Sequence, residues 1–276
     1  MTLSVLLSVY AKENPDYLQQ CLASFTQQIH SADEIVLVED GPLSAELEVV
    51  IASFITKLPL KQVKLTVNSG LAVALNIGLA ECSGDYVARM DTDDVLLPGR
   101  FAVQLKFMQQ FPEIDLVGCF ATEINEIGNK GRLRTMPTEH DDIVNSLWSN
   151  PFIHPAVMFK RQKMLDIGGY DTKLRRRQDY ELWFRCAKND FRFANIPQAL
   201  ILYRFLPGTH KKQTVTLAWE QAMIGFKGAS SLKMPLWKRL ACFIPFIRSL
   251  LPTALQHRLY SALKRFDPRQ QRHNTK

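Results

Sequence analysis

Four times within the first hundred residues, a short apolar run gives way to polar residues and then to a segment with helical spacing. LSVLLSVY, from Leu3, enters a loop containing Lys12, Glu13, Asn14 and Pro15, after which Leu18, Leu22, Phe25 and Ile29 recur three or four apart. EIVLVEDG, from Glu34, is followed by Leu47, Val50, Ile51 and Phe54. QVKLTV, from Gln62, precedes Asn68, Ser69, Gly70 and the helix-like LAVALNIGLA. DYVARMD, from Asp85, runs into Asp91, Asp93 and Asp94. Strands apolar on both faces are covered on both faces, and alternation with helices implies crossover connections. The pattern predicts an α/β, Rossmann-like, mostly parallel sheet with helices on both faces. Its ligand crevice lies outside the C-terminal strand ends, where Asp40, Asn68, Asp91 and Asp93 gather.

Later segments are read from the same periodicities. A helix is expected from Phe101 to about Phe111, then a strand IDLVGCF, with Gly128 to Gly131 turning between antiparallel strands. A helix from about Glu139 to Trp148, a strand HPAVMFK, a helix from Leu174 to Lys188, and two final strands, FRFANI and ALILYRF, follow.

Composition excludes several classes. A hydrophobic fraction of 46% and a charged fraction of 22% are those of a globular chain. Five cysteines without a CxxC pair argue for a reducing compartment and against a disulfide framework or structural zinc. Met1 passes straight into the first apolar run, which reads as a strand rather than a signal peptide, and no 18-residue apolar stretch offers a spanning helix. Neither GxxxxGK[ST] nor GxGxxG is present, against a P-loop ATPase and a dinucleotide dehydrogenase.

Three carboxylates in five residues repel one another unless a cation or a donor network compensates. In extended geometry Asp91 and Asp93 share a side while Thr92 turns away, an all-oxygen pair suited to Mn²⁺ or Mg²⁺. The plainer reading is that they cap the helix beginning near Pro98.

With these motifs in order from Leu3 to Phe205, the chain resembles the family 2 glycosyltransferases. These have the GT-A nucleotide-diphospho-sugar transferase fold, and the likeness is to bacterial members building exopolysaccharide, amylovoran-type polymer or O-antigen. The resemblance implies that Ser8, Tyr10 and Glu13 belong to the donor-binding loop and that Asp40 touches the base. NSGLAVALNIGL carries the family's Asn-x-Gly signature, placing Asn68, Gly70, Leu71 and Asn76 beside the nucleotide. MDTDD resembles the DxD region, where Arg89, Asp91, Thr92 and Asp93 face the ribose-diphosphate and its metal. RRRQDYELWFR resembles the acceptor-side motif and makes Asp179 the catalytic base. Gly41-Pro42 departs from the usual acidic pair followed by a small polar residue, and the Gln-x-x-Arg-Trp of processive synthases is missing, which implies one sugar per acceptor.

Bland readings stand beside these. Asn76 bonds a loop or the donor, and Arg89 meets phosphate or an Asp of the cluster. His154, before Pro155, is a ligand or a structural histidine. Arg175, Arg176 and Arg177 clamp phosphate or face solvent. Asp179 is a base or only an acidic helix start, with Glu181 a neighbour. Trp148 and Trp183 read as core. The expected reaction is inverting transfer of a hexose from UDP-galactose or UDP-glucose to a lipid-linked oligosaccharide. The rivals are a metal-dependent nucleotide-sugar hydrolase and a silent nucleotide-sugar-binding scaffold.

Of the net charge of +7, residues 233–276 carry +9, with ten Lys or Arg against Asp267, so residues 1–232 carry −2. This segment interleaves Lys238, Arg239, Arg248 and Arg258 with Trp237, Phe243, Phe246, Ile247, Leu250 and Leu255, and Pro245 and Pro252 break it into short amphipathic pieces. The reading is a catalytic domain over 1–230, split near residue 100 into donor and acceptor halves, and a basic helical tail over 231–276. The tail binds an anionic membrane, at the cytoplasmic face of the inner membrane, or packs on its own domain or in a homo-oligomer. No nucleic-acid recognition module accompanies it.

Overall fold

Strand β1 (Leu3–Val9) sends Leu3, Val5, Leu7 and Val9 into one buried cluster and Leu6 into another, so both faces are covered, as its unbroken apolar run demands. The computed structural model describes residues 1–205 and 214–251; Pro252, Leu255 and Arg258 of the tail lie outside the described residues. Asn14 turns the chain into α1 (Pro15–Phe25), its side chain accepting from the Asp16 and Tyr17 amides at 2.8 and 3.4 Å, with Pro15 where no amide hydrogen is needed. The alternation continues through β2 (Glu34–Glu39), α2 (Ala45–Ala52), β3 (Leu60–Lys64), α3 (Leu71–Glu81) and β4 (Tyr86–Arg89). β3, β2, β1 and β4 lie side by side and parallel. A Cβ on Gly78 of α3 would stand 2.3 Å from Leu6 Cδ1 and 2.7 Å from Val38 Cγ2, so this glycine lets the helix lie directly on the sheet. β3 ends sooner than its apolar run suggested, because the chain leaves the sheet to carry Asn68 over the end of β2.

Past β4 the sheet becomes mixed. β5 (Val95–Leu96), α4 (Arg100–Gln110), β6 (Leu116–Ile124), β7 (Lys130–Arg134), α5 (His140–Asn145), β8 (Met158–Lys160), α6 (Arg161–Asp166), α7 (Gln178–Lys188) and β9 (Phe193–Arg204) follow in order. The strand order is β3-β2-β1-β4-β8-β6-β9-β5, with β7 on β6. β8 is antiparallel to β4 and β6, and β5 to β9, while β6 and β9 are parallel. The parallel expectation therefore holds for β1 to β4, whereas the later strands pair both ways, with a hairpin at β6–β7 whose turn has Gly128 at φ 84 and a parallel pair at β6 and β9.

Three local expectations are corrected. The two final strands are one: Pro197, without an amide hydrogen, falls at a register shift where Cys119 faces Ile196 and Phe120 faces Ala199. α7 begins at Gln178 rather than Leu174, because Arg177 adopts a left-handed φ of 61°. His154–Ala156 is a 3-10 turn, which leaves only Met158–Lys160 as strand.

Beyond β9 come α8 (Val215–Ser231), α9 (Leu236–Ala241) and α10 (Ile244–Ser249). α8 was not foreseen; it lies on α7 with Ala218, Ala222, Gly225 and Ala229 buried, small residues at i, i+4, i+7 and i+11. Trp219 packs on Phe243 and Phe246, Trp237 meets Trp148 edge-on, and Cys242 is buried, so the described part of the tail packs on its own domain. Leu236, Trp237, Leu240, Ile247 and Leu250 nonetheless stay exposed. No described helix is long and apolar enough to cross a membrane.

Candidate active site

β1, β2 and β4 end on the same side, and the segments beyond them enclose a cleft of about 790 Å³, of the size that holds small-molecule ligands. Ser8, Tyr10, Glu13, Asp40, Asn68, Gly70, Leu71 and Asp91, all expected around the donor, line it. Lys12 joins them, and Thr172, Leu174, Arg175 and Arg176, from the segment before α7, line it too. Asn76, Arg89, Thr92, Asp93, His154, Arg177 and Asp179 are not among the lining residues.

The first wall is built around Asp40. Its buried carboxylate accepts from the Asn68 side-chain amide at 3.1 Å, the Ser69 amide at 2.6 Å and the Gly70 amide at 3.0 Å. Three donors on one carboxylate fix the loop that opens α3. Gly41, at φ 87, makes this possible, since a Cβ there would stand 2.6 Å from the Asn68 nitrogen. The unusual Gly41-Pro42 thus has a structural reason: it lets the β2 turn and the 68–70 loop touch.

Beyond β4 the chain is a turn rather than extended, with the Asp94 amide on the Asp91 carbonyl at 3.4 Å. Ligand oxygens of Asp91, Asp93 and Asp94 all lie within 4.8 Å of one another. The helix-cap reading fails, since α4 starts after Gly99 with no side-chain cap. Burial, then the charge of Asp91, pushes Asp93 up to about 6, and burial, then Asp93, pushes Asp94 well above the usual range. Glu13, bonded by the Thr92 hydroxyl, is pushed up to about 8, first by burial and further by Asp93 and Asp91. Buried Arg89 is ion-paired with Asp91, and the charge of a second buried arginine, Arg204, reaches Asp93. Three carboxylates whose oxygens lie this close together form an all-oxygen set that fits a divalent cation.

Sequence reasoning missed Arg204. This buried β9 residue donates its amide to Asp94 Oδ1 at 2.7 Å and its Nε to the Asp93 carbonyl at 2.8 Å. Its other guanidinium nitrogens reach the carbonyls of Asn125 and Glu126 and the Gln20 side chain, over the Tyr17 ring. A lone cation in the apolar run ALILYRF is the signal that marked it.

On the acceptor side, Asn76 clamps the loop before α7, donating to the Tyr170 carbonyl at 2.8 Å and accepting from its amide at 2.7 Å. Its loop reading is the one observed. The His154 ring nitrogen bonds the Tyr170 hydroxyl at 2.9 Å, and burial and then Arg89 hold its imidazole well below the usual range, hence neutral. Trp183 is fully buried, as expected, and Arg177 is exposed at the start of α7. Asp179 sits in the first turn of α7 and accepts from the Asn150 amide at 3.1 Å. The buried Tyr170 phenol is raised above its usual range, chiefly by burial.

A family model described as Glycosyl transferase family 2 matches residues 4–183. The amylovoran biosynthesis glycosyltransferase AmsE of Erwinia amylovora is 44% identical over 202 residues, 73% of this chain and 75% of that one. A UDP-Gal:alpha-D-GlcNAc-diphosphoundecaprenol beta-1,3-galactosyltransferase of Escherichia coli is 34% identical over 211 residues, 76% of each. Among solved structures, a fragment of S. aureus TarS in complex with UDP-GlcNAc superposes with a TM-score of 0.69 at 17% identity, over 96% of this chain and 80% of that one, a likeness of fold.

Proposed function

Since this chain belongs to glycosyl transferase family 2 and is a glycosyltransferase, we propose that it moves one hexose, galactose or glucose, from a UDP-sugar to a hydroxyl of a lipid-linked oligosaccharide, with inversion. The observation that carries the reading is the convergence of Asp40, the Asn68–Leu71 loop and Asp91 on one cleft. Support for UDP-galactose and a diphospholipid acceptor comes from the name of the Escherichia coli relative.

In this reading Asp91 and Asp93 would hold Mn²⁺ or Mg²⁺, which when bound would supply positive charge to the departing diphosphate. Lys12, Arg175 and Arg176 add cationic groups at the cleft for phosphate oxygens. Asp179 takes the proton of the acceptor hydroxyl as its oxygen bonds to the anomeric carbon and the bond to UDP breaks, one displacement with no covalent sugar intermediate. The exposed apolar residues of α9 and α10, flanked by Lys238, Arg239 and Arg248, rest on an anionic bilayer at the cytoplasmic face, where such an acceptor is found.

The test is mass-resolved turnover of a sugar-nucleotide panel with Mn²⁺ or Mg²⁺ and membrane extract as the acceptor source. Sugar-extended lipid formed by the unmodified chain, and reduced roughly 10²- to 10⁴-fold in Asp179→Asn with UDP binding kept, is expected. Nucleotide release without extended lipid would replace transfer by hydrolysis, and a fully active Asp179→Asn would remove the base assignment.

A further inference from the structure

Asn150 ends the 3-10 turn Leu147–Ser149 with φ 57 and ψ 83, a left-handed conformation directly before Pro151. A turn that needs only a left-handed residue is closed most easily by glycine, which has no Cβ to crowd the backbone. Asparagine tolerates the conformation better than most residues, yet here it brings a second burden: its Oδ1 is buried with no hydrogen-bond partner among the described residues. Backbone closure explains neither the side chain nor its unpaired oxygen. What the side chain does is cross to α7, where Nδ2 lies 3.1 Å from Asp179 Oδ2. The direction of this bond is fixed by chemistry, since an ionised carboxylate offers only acceptors and the amide must donate.

An Asp carboxyl turns freely about its last torsion, so a base held only by its backbone presents either oxygen over a broad arc. One bond to Oδ2 removes that freedom. It leaves Oδ1, which has no partner among the described residues, as the oxygen that receives a proton. We propose that Asn150 is the positioning residue for Asp179, orienting one carboxylate oxygen toward the acceptor hydroxyl. The inference rests on Asp179 being the base.

Docking alone is the competing role, because a second bond ties the same two segments: the Tyr180 hydroxyl donates to the Trp148 carbonyl at 2.7 Å. The experiment therefore compares Asn150→Gly, Asn150→Asp, Tyr180→Phe, Asp179→Asn and the double variant Asp179→Asn/Asn150→Gly. It uses the full chain with the donor and membrane-lipid acceptor that the unmodified enzyme turns over, and UDP as the binding probe. Asn150→Gly keeps the left-handed backbone and deletes the amide, whereas Asn150→Asp keeps the shape and sets a like charge against Asp179.

Both are expected to lower kcat by about 10- to 100-fold with donor KM and UDP affinity within about twofold, and Asn150→Gly to keep its melting temperature. Tyr180→Phe is expected to keep kcat, and the double variant to transfer no more slowly than Asp179→Asn alone. Unreduced kcat in Asn150→Gly overturns the proposal, as does an equal loss in Tyr180→Phe or additive losses in the double variant. If Asp179→Asn is itself active, the base reading falls first; if it is inactive while Asn150→Gly is active, only the positioning role falls.

Discussion

Glu13 shows how one side chain ties stability to pH. Its carboxyl is pushed up to about 8 from an ordinary value of 4.5, burial being the largest cause. Between those values the folded chain keeps a proton that the unfolded chain has lost, so metal-free stability falls as pH rises through this window. Glu13→Gln removes the titration. Melting curves in chelator are expected to converge near pH 4.5 and to separate toward pH 8, the variant melting about 5 °C higher. Parallel curves across that range would show that Glu13 ionises normally. The same residue illustrates what the sequence discloses: Glu13, Asp91 and Asp93 were visible as types in a pattern, but the Thr92 bond that joins the first loop to the fourth strand spans 79 positions. Asn150 and Arg204 escaped for that reason, since their partners lie far along the chain and no local periodicity reports them.

Among the elements, the strands of the donor half were legible because burial on both faces leaves an unmistakable run of apolar residues, as in β1. β9 was misread as two strands because Pro197 looks like a break, and only its neighbour β6 absorbs the shift. α7 was given an early start because nothing in Leu174–Arg177 announces a left-handed residue. α8 hid its pattern in small residues, Ala218, Ala222, Gly225 and Ala229. Of the outcomes weighed for the tail, the described part shows packing on its own domain: α9 and α10 lie on α8 through Phe243 and Phe246, and leave Leu236, Trp237, Leu240, Ile247 and Leu250 exposed. Replacing Leu236, Leu240 and Ile247 by Ser is expected to reduce cosedimentation with phosphatidylglycerol-containing vesicles by at least about tenfold, with UDP binding unchanged. Vesicle recovery equal to that of the unmodified chain would assign this face another occupant.

For the molecule as a whole, the expected α/β architecture is present, with the change from parallel to mixed pairing falling where β8 inserts beside β4. That insertion ties the parallel strands of the first hundred residues to the later, mixed part of the sheet. Arg204→Ala should destabilise the chain by roughly 3 kcal/mol, since it removes the guanidinium that bonds the Asp93, Asn125 and Glu126 carbonyls and the Gln20 side chain, and should weaken Mn²⁺-dependent UDP binding more than metal-free binding. Denaturant titration and calorimetry check both; equal losses with and without Mn²⁺ would make Arg204 a support of the fold alone.

The bond from Arg204 to Asp94 spans 110 positions, and the matched family region ends at residue 183. A ribosome that has released residues 1–183 has made every carboxylate of the donor site but not the strand that fastens their loop. The site is thus assembled late in synthesis, through a contact of high sequence separation that must form before the loop is set. Nascent chains paused before β9 would emerge with Asp91, Asp93 and Asp94 present but their loop unfastened, so completion of β9 is the step at which Arg204 arrives to hold it.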